Sequence, residues 1–435
     1  MTRVIRYSVV VVLATCCLVT PAFAAQGLPT AKPEDVGVSS DKVKELSEYM
    51  QGLVDDGKIA GGVTMMARQG KVVHLEAVGM ADREAKVPMQ TDSIFRIASM
   101  TKPITSVAVM MLWEQGKLKL DDPVSKYIDE FKNPKVLLSV DPWKTEPAKV
   151  EIKIRHLLTH TSGLGYSFTP NVAALHDELD ILTGVATSSE PVADTVKRLT
   201  EIPLIFEPGS AWNYGMSIDV LGRIVEVVSK KSLGRFFEDE IFRPLSMIDT
   251  HFTIPDEKVP RLVAGYVPVE TCLREVRPGE RLKEIMVRDE AGFAGTMTLT
   301  SDYPYSPSNV AESGGAGLSS TANDYMQFCQ MLLNGGELND HRLLEKDTVA
   351  MMTSNQIDDL HVGASDMKFG FGFAILRDDE PVHPQLRSSY AWGGYWCTSF
   401  RISPRGDWIV ITMAQVAGRP RDEKYDSLAA EAIEK

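Results

Sequence analysis

The sequence predicts an α+β fold, with an antiparallel sheet flanked by helices and a mostly helical lobe inserted between the parts of the chain that form it. Three observations predict this. Segments that alternate like strands lie near both ends of the chain. Helix-period apolar patterns dominate the middle. The chain has 435 residues, more than one hydrophobic core usually serves, so two lobes are expected.

The N-terminal part of the predicted sheet follows an amphipathic helix. Apolar residues recur at helical spacing over 40–54, and Gly57 is expected to follow the end of this helix. Residues 62–66 and 71–78 have the composition of two strands, joined by a turn over 68–71. Two antiparallel strands after a helix favour an α+β lobe.

The remaining elements follow in order. The next helix is predicted over 99–115, where apolar residues share one face and Gly116 is a suitable stop. Long loops are expected over 260–312, where charge, Gly and Pro are mixed. The other predicted helices are 152–159, 192–201, 217–230, 233–242 and 321–334, and the other predicted strands are 370–376, 388–392, 398–403 and 408–414.

These elements predict a discontinuous α/β lobe, formed by 25–98 and 300–435, and a mostly helical lobe over 99–299. The helix that begins at Ser99 is expected at the interface between the two lobes.

The first 24 residues have the pattern of a secretory signal peptide. Arg3 and Arg6 supply the positive start, 9–19 the apolar stretch, and Ala22-Phe23-Ala24 a small-x-small cleavage motif. The apolar stretch is short for a transmembrane helix. We therefore expect a mature chain that begins at Ala25 and acts in the periplasm or outside the cell, without a membrane anchor. The alternatives are an uncleaved N-terminal anchor or lipid attachment at Cys16.

Net charge and the spacing of cysteine and histidine argue against several kinds of partner and site. Loss of the two leader arginines would change the net charge from −13 to −15, which disfavours nucleic acid and anionic lipid as partners. Cys272, Cys329 and Cys397 are too few and too widely spaced for a disulfide framework. His156 and His160 are four residues apart, but no nearby carboxylate completes a zinc site, so helix-end hydrogen bonding is the preferred interpretation.

The segment Phe95-Arg96-Ile97-Ala98-Ser99-Met100-Thr101-Lys102 carries the strongest chemical signal. Residues three apart share a helix face, so the Ser99 hydroxyl is expected beside the Lys102 amine. A serine hydroxyl needs a neighbouring base to become a nucleophile, and a lysine can serve if its environment favours the neutral amine. The bare Ser-x-x-Lys pattern is common, so the rest of the chain must decide.

Three further segments bear on the chemistry. Tyr214, in a turn-rich loop before the 217–230 helix, is a candidate proton carrier, although an isolated loop tyrosine is more often a packing residue. Trp392-Gly393-Gly394 contains paired glycines, which either let a substrate or a second backbone approach a strand or form a simple bulge or tight turn. The Gly-rich segment 313–324 lacks the ending of a phosphate-binding loop and is interpreted as a helix cap with a close-packed turn.

Taken together, these motifs resemble those of the serine β-lactamase and penicillin-binding-protein superfamily, in particular the class C β-lactamase-like esterases called family VIII carboxylesterases. The resemblance runs from about residue 35 to residue 420. It rests on the order of Ser-x-x-Lys, Leu157-Leu158-Thr159-His160-Thr161-Ser162-Gly163, Pro208-Gly209 with Tyr214, the Gly-rich turn and Trp392-Gly393-Gly394.

The resemblance implies a role for each matching residue. Ser99 would be the acylated nucleophile, Lys102 its base or base partner, and Tyr214 the group that passes the proton to the leaving alcohol. Trp392-Gly393-Gly394 would bind substrate in place of the family's Lys-Thr-Gly. The backbone N–H groups of Ser99 and Tyr395 would form the oxyanion hole, and neither metal nor organic cofactor would be required.

Two departures from the family's motifs bear on specificity. Tyr-x-Asn occurs here as Tyr214-Gly215-Met216, so the amide that would contact an acylamino side chain is missing. The lysine of Lys-Thr-Gly is replaced by Trp392, so a cation that would hold a β-lactam carboxylate is missing. Both losses favour neutral, fairly apolar acyl esters. The substrates predicted here are carboxylic esters of short acyl chains, although the sequence does not give the chain length.

Several functions compete with this carboxylesterase hypothesis. A β-lactamase or D-Ala-D-Ala carboxypeptidase would use the same nucleophile, and an acyltransferase would pass the same acyl group to an alcohol or amine. A non-catalytic cell-wall-binding protein is a further alternative, disfavoured because Ser99, Lys102 and Tyr214 are all present. The absence of a Gly-x-Ser-x-Gly motif argues against an α/β-hydrolase.

Overall fold

One large antiparallel sheet organises the protein in a computed structural model that describes residues 27–270, 272–288, 293–363, 365, 367–379, 381–418 and 423–434. The predicted signal peptide lies outside these residues. The helices are α1 Ser40–Asp55, α2 Thr101–Glu114, α3 Ile154–Leu158, α4 Ala173–Glu178, α5 Val192–Leu199, α6 Ser217–Ser229, α7 Leu233–Phe237, α8 Ala322–Leu333, α9 Lys346–Met352 and α10 Glu423–Glu431.

The strands fall into the main sheet and several short pairs. In chain order they are β1 Gly61–Arg68, β2 Lys71–Asp82, β3 Val87–Pro88, β4 Phe95–Arg96, β5 Lys135–Val140, β6 Trp143–Pro147, β7 Tyr266–Val269, β8 Cys272–Glu275, β9 Leu282–Arg288, β10 Phe293–Leu299, β11 Ser319–Ser320, β12 Glu337–Leu338, β13 His341–Arg342, β14 Lys368–Phe369, β15 Ala374–Ile375, β16 Tyr390–Gly394, β17 Thr398–Ser403 and β18 Trp408–Met413.

The main sheet joins the two ends of the chain. Its eight strands lie in the order β14-β15-β16-β17-β18-β1-β2-β3, and neighbouring strands are antiparallel. The central contact is the pairing of β1 with β18, in which Val63 lies opposite Met413 and Arg68 opposite Trp408. N-terminal and C-terminal segments therefore share one sheet, as the sequence predicts.

Alternating side chains bury the two faces of this sheet under different helices. Met65 of β1 belongs to the large core that includes α2 and α8, whereas Met66 belongs to a second core with α1 and α10. In β18, Ile409 belongs to the large core and Val410 to the second core. Successive side chains of a strand point to opposite faces, so helices cover both sides of the sheet. The predicted α+β class is confirmed.

Most predicted elements are present, and three need correction. The region 260–312 is not only loop, because it contains the hairpins β7–β8 and β9–β10. The predicted helix 233–242 is α7 followed by a π-helical turn over Glu238–Phe242. The predicted strand 370–376 is reduced to β15, because Gly370 and Gly372 lie in the turn between β14 and β15. The division into two lobes stays a prediction.

The helices that the structure describes include none that is both long and apolar enough to cross a membrane.

Candidate active site

Ser99 lies at a strained junction between a strand and a helix. The chain leaves β4, turns at Ala98 with φ of +40°, and passes through a short 3-10 turn over Ala98–Met100 into α2. A left-handed conformation costs a non-glycine residue roughly 1–2 kcal/mol. Neighbouring segments hold it in place: Ile97 N–H donates to the Leu318 carbonyl (3.0 Å), and Tyr325 O–H donates to the Met100 carbonyl (2.9 Å). Ser99 is left half-buried.

Lys102 is buried directly beneath Ser99. Its Nζ lies 3.1 Å from Ser99 Oγ and donates to the Gly315 carbonyl oxygen at 2.7 Å. The same nitrogen faces two phenol rings, 4.8 Å from the Tyr214 centroid and 5.6 Å from that of Tyr166. Lys102 is only 1% exposed, so its side chain is held in one orientation, unlike that of a surface lysine. The predicted proximity of Ser99 and Lys102 is present.

Tyr214 is the second group that contacts Ser99. Its hydroxyl donates to Ser99 Oγ at 2.7 Å, so Ser99 Oγ contacts both predicted proton carriers. The loop of Tyr214 packs closely on the segment after α3. A Cβ atom on Gly215 would lie 2.0 Å from the Leu164 carbonyl oxygen, so only glycine fits there without rearrangement.

His160 holds the same loop on both sides of Tyr214. Its carbonyl accepts the Asn213 N–H (2.9 Å) and its Nδ1 accepts the Gly215 N–H (3.4 Å), so the proton of the neutral ring lies on Nε2. Burial, and then the nearby Lys102 cation, hold the pKa of His160 well below its usual value. His160 therefore supports Tyr214 as a neutral ring, 4.9 Å away between centroids.

Aromatic rings line the site beside Tyr214. The Trp392 ring lies 5.5 Å from the Tyr214 ring and 5.4 Å from the Phe369 ring. The Trp212 ring lies 6.4 Å from Tyr214 on a nearly parallel plane and 5.7 Å from Phe369. Trp212 and Trp392 are both half-buried, so they present apolar surface next to the serine.

Trp392-Gly393-Gly394 forms the end of β16, next to the serine turn. A Cβ atom on Gly394 would lie 2.2 Å from the Ile97 carbonyl oxygen and 2.3 Å from Thr398 Oγ1. The glycine therefore lets β16 approach the backbone that precedes Ser99. Tyr395 follows β16 directly, and its role in an oxyanion hole stays a prediction.

The paired histidines do not form a metal site. His156 Nδ1 accepts the Lys153 N–H (3.2 Å) at the start of α3, and His160 lies beyond the end of that helix with φ of +56°. Hydrogen bonding at a helix end thus accounts for His156, whereas His160 has the different role described above. Across the described residues, no three His, Cys, Asp or Glu side chains are grouped to hold a metal ion.

Comparison with known proteins places this geometry in a family. A model of the β-lactamase family matches residues 46–434. The chain belongs to this family. It is 32% identical over 345 residues to the esterase EstB of Burkholderia gladioli, an alignment that covers 78% of this chain and 81% of EstB. It is 30% identical to the acyltransferase calJ of Penicillium decumbens, over 71% of this chain and 72% of that protein.

Solved structures of the family agree with the fold. EstCE1, described as a hydrolase with promiscuous acyltransferase activity, superposes with a TM-score of 0.78 at 30% identity, covering 91% of this chain and 99% of EstCE1. The family and fold predicted from the motifs are confirmed.

Several residues of this β-lactamase-family site were not predicted. The Gly-rich segment was interpreted only as a cap and a tight turn. It does cap α8, where Thr321 accepts the Asp324 N–H (3.1 Å), but it also supplies the Gly315 carbonyl to Lys102. Tyr166 and Asp219 were also missed. A backbone acceptor has no residue-type signature, and a lone aspartate in an apolar helix gives only a weak signal.

Proposed function

We propose that this protein hydrolyses carboxylic esters, with a preference for short and uncharged acyl groups, through an acyl-enzyme on Ser99. The observation that carries the proposal is the position of Ser99 Oγ, 2.7 Å from the Tyr214 hydroxyl and 3.1 Å from Lys102 Nζ. A serine held between two proton carriers has the arrangement needed for nucleophilic catalysis. The similarity to EstB and EstCE1 supports a serine ester hydrolase.

The first half of the reaction forms the acyl-enzyme. Ser99 Oγ attacks the ester carbonyl carbon while its proton passes to the Tyr214–Lys102 pair, and the carbonyl electron pair moves onto oxygen. The backbone N–H groups of Ser99 and Tyr395 are the proposed donors to that oxyanion. Collapse of the intermediate breaks the bond to the alkoxy group, which leaves as the alcohol after Tyr214 returns the proton.

The second half uses water in place of the alcohol. A water molecule loses a proton to the Tyr214–Lys102 pair, attacks the acyl carbon and displaces Ser99 Oγ, which regains a proton. The carboxylic acid is released. If an alcohol or amine enters instead of water, the same step is an acyl transfer, which is the second candidate function and the activity named for calJ.

The surroundings of Ser99 support a neutral acyl group over a β-lactam. Trp392 stands where the family's motif has lysine, and its ring packs on Tyr214 and Phe369. Met216 is 1% exposed and replaces the motif's asparagine. Asn213 does not take over that role, because its Nδ2 contacts the Leu164 and Tyr214 carbonyls.

Hydrolysis of two chromogenic substrates tests this preference. We expect the purified mature protein to hydrolyse p-nitrophenyl butyrate with a kcat/KM at least about 100-fold above that for a chromogenic cephalosporin. Loss of hydrogen bonds or charge contacts worth about 1.5–3 kcal/mol each produces discrimination of this size. Trp392→Lys should narrow the ratio by improving cephalosporin turnover. Equal efficiency on both substrates in the unaltered protein would contradict the proposal.

Export to the periplasm or the medium is a separate part of the proposal. It rests on the basic start, the apolar stretch and the Ala22-Phe23-Ala24 motif of the leader. Expression of the full chain in a bacterial host, followed by N-terminal sequencing of the periplasmic and secreted fractions, should give a mature protein that begins at Ala25. Retention of the intact chain in the cytoplasm would contradict it.

A further inference from the structure

The Gly-rich turn, defined here as residues 313–318, is held against helix α2 at three points. Thr105 Oγ1 donates to the Gly314 carbonyl (2.7 Å), and Lys102 Nζ donates to the Gly315 carbonyl (2.7 Å). Thr101 Oγ1 accepts the Leu318 N–H (3.2 Å). Three side chains within two turns of α2 therefore bind backbone groups of the Gly-rich turn, and one of the three is the lysine beneath Ser99.

The same turn packs against helix α6 on its other side. A Cβ atom on Gly314 would lie 3.0 Å from the Ile218 carbonyl oxygen, and one on Gly315 would lie 2.2 Å from Asp219 Oδ2. The two glycines thus let the turn pass closely between α2 and α6. This close approach brings the backbone at Gly315 within reach of both Lys102 and Asp219.

Asp219 is the charged group of α6 that faces the turn. It is 2% exposed, and its Oδ1 accepts the Ser313 hydroxyl (2.5 Å) and the Gly315 N–H (3.2 Å). Its Oδ2 has no hydrogen-bond partner among the residues that the structure describes. Burial raises the pKa of Asp219, and the nearby Lys102 cation opposes that rise. An aspartate this deeply buried is costly unless it has a specific partner.

A continuous chain of hydrogen bonds joins Asp219 to Lys102. Asp219 Oδ1 accepts from Ser313 Oγ, and Ser313 Oγ accepts the Ala316 N–H at 3.0 Å. That N–H belongs to the peptide group whose oxygen, on Gly315, accepts from Lys102 Nζ. Each bond in such a chain polarises the next, so a negative charge at one end strengthens the acceptor at the other.

We propose that Asp219 is a positioning residue for Lys102, acting through Ser313 and the Gly315–Ala316 peptide group. The carboxylate fixes the orientation of the Gly315 carbonyl and increases its strength as an acceptor. The carbonyl in turn holds Lys102 Nζ in line with Ser99 Oγ. The hydrogen bonds of Asp219 within the described part of the chain go to Ser313 and Gly315 and not to Ser99, so its effect on the reaction is indirect. The inference rests on the proposed hydrolysis through Ser99.

Three substitutions separate this role from simple structural support. Asp219→Ala removes the carboxylate that accepts from Ser313 and Gly315. We expect kcat to fall at least about 30-fold while KM changes less than threefold, because the surfaces proposed to bind substrate are unchanged. Asp219→Asn keeps an amide oxygen that can accept from Ser313 and Gly315, and we expect it to retain at least a third of the wild-type kcat. Ser313→Ala breaks the chain but not the bond to Gly315, so its loss should lie between the two.

The pH profile gives a second readout. The charged and titratable groups around this series of hydrogen bonds are Lys102 on α2, Asp219 on α6, and Tyr166, His160 and Tyr214 on the loops. The acidic limb of kcat/KM is expected to move to lower pH in Asp219→Ala, because a buried anion near the proton-carrying groups beside Ser99 is lost. A residue with only a packing role would leave that limb in place.

The controls keep failure of this inference distinct from failure of the proposed function. Ser217→Ala removes another buried hydroxyl of α6, bonded to Ser162 Oγ (2.8 Å), and should leave kcat within threefold. Ser99 reactivity with a fluorophosphonate, followed by intact mass, does not require ester turnover and should slow in Asp219→Ala. An unchanged phosphonylation rate and pH profile in a folded Asp219→Ala would overturn the inference. So would a loss in Asp219→Asn as large as that in Asp219→Ala.

Discussion

Replacing Ser99 with alanine is expected to lower kcat/KM for p-nitrophenyl butyrate by roughly 10⁴- to 10⁶-fold, the range found when a catalytic serine is removed. The reason is that Ser99 Oγ is the atom that both proton carriers contact, at 2.7 Å from Tyr214 and 3.1 Å from Lys102. Without it, no covalent intermediate can form. The proposed binding groups, such as Trp392, remain, so KM should change much less than kcat.

Intact mass spectrometry checks the same substitution without relying on rates alone. A slowly hydrolysed ester or a fluorophosphonate should add one acyl or phosphonyl group to the wild-type protein and none to Ser99→Ala. Mapping of the modified peptide should place the group on Ser99.

Ser106→Ala is the matched control for this experiment. Ser106 lies on α2, is fully buried, and its Oγ has no hydrogen-bond partner within the described part of the chain. Its removal should leave turnover within about twofold, since a buried hydroxyl without a partner contributes little to stability. Labelling of Ser99→Ala equal to that of the wild type would show that another residue is the nucleophile.

The strand and helix patterns predicted the elements that the sheet and its helices require. Segments such as 398–403 are strands over the predicted residues, because their side chains are buried on both faces and favour extended backbone. Region 260–312 was predicted less well. The strands of its hairpins β7–β8 and β9–β10 lie in a sequence of mixed charge. Such strands are stabilised by pairing with a neighbouring strand, and the periodicity of one segment does not reveal that pairing.

The candidate site was predictable where its chemistry depends on residues close in sequence. Ser99 lies in the 3-10 turn before α2 and Lys102 in the first turn of α2, three positions apart, so local helical geometry brings them together. The acceptor of Lys102 is 213 residues away and is a backbone carbonyl, for which no residue type is diagnostic. Asp219 is an aspartate in an otherwise apolar helix, and its burial against Gly315 depends on how α2 and α6 pack. The local sequence pattern does not predict that tertiary contact.

Replacement of Lys102 by methionine is expected to reduce kcat/KM for the same ester by roughly 10³- to 10⁵-fold, because a base and cation beside the nucleophile are lost together. Methionine keeps an unbranched stem and fills most of the space between the Tyr166 and Tyr214 rings, so the fold should persist. The Gly315 carbonyl loses its partner, at a cost of about 1–3 kcal/mol, while removal of a buried charge offsets part of it. Thermal unfolding of both proteins measures that balance.

Lys102→Arg distinguishes a base from a fixed cation. Arginine keeps the positive charge but does not release its proton in proteins, and its planar fork is larger than the ammonium that now contacts Ser99 Oγ and the Gly315 carbonyl. We expect no recovery above about 1% of wild-type kcat/KM, and Lys117→Met, on the exposed residues after α2, should be unchanged. Substantial recovery by arginine would mean that Lys102 acts by charge alone. Tyr214 would then be the group that accepts the Ser99 proton, because within the described residues its hydroxyl is the other hydrogen-bonding contact of Ser99 Oγ.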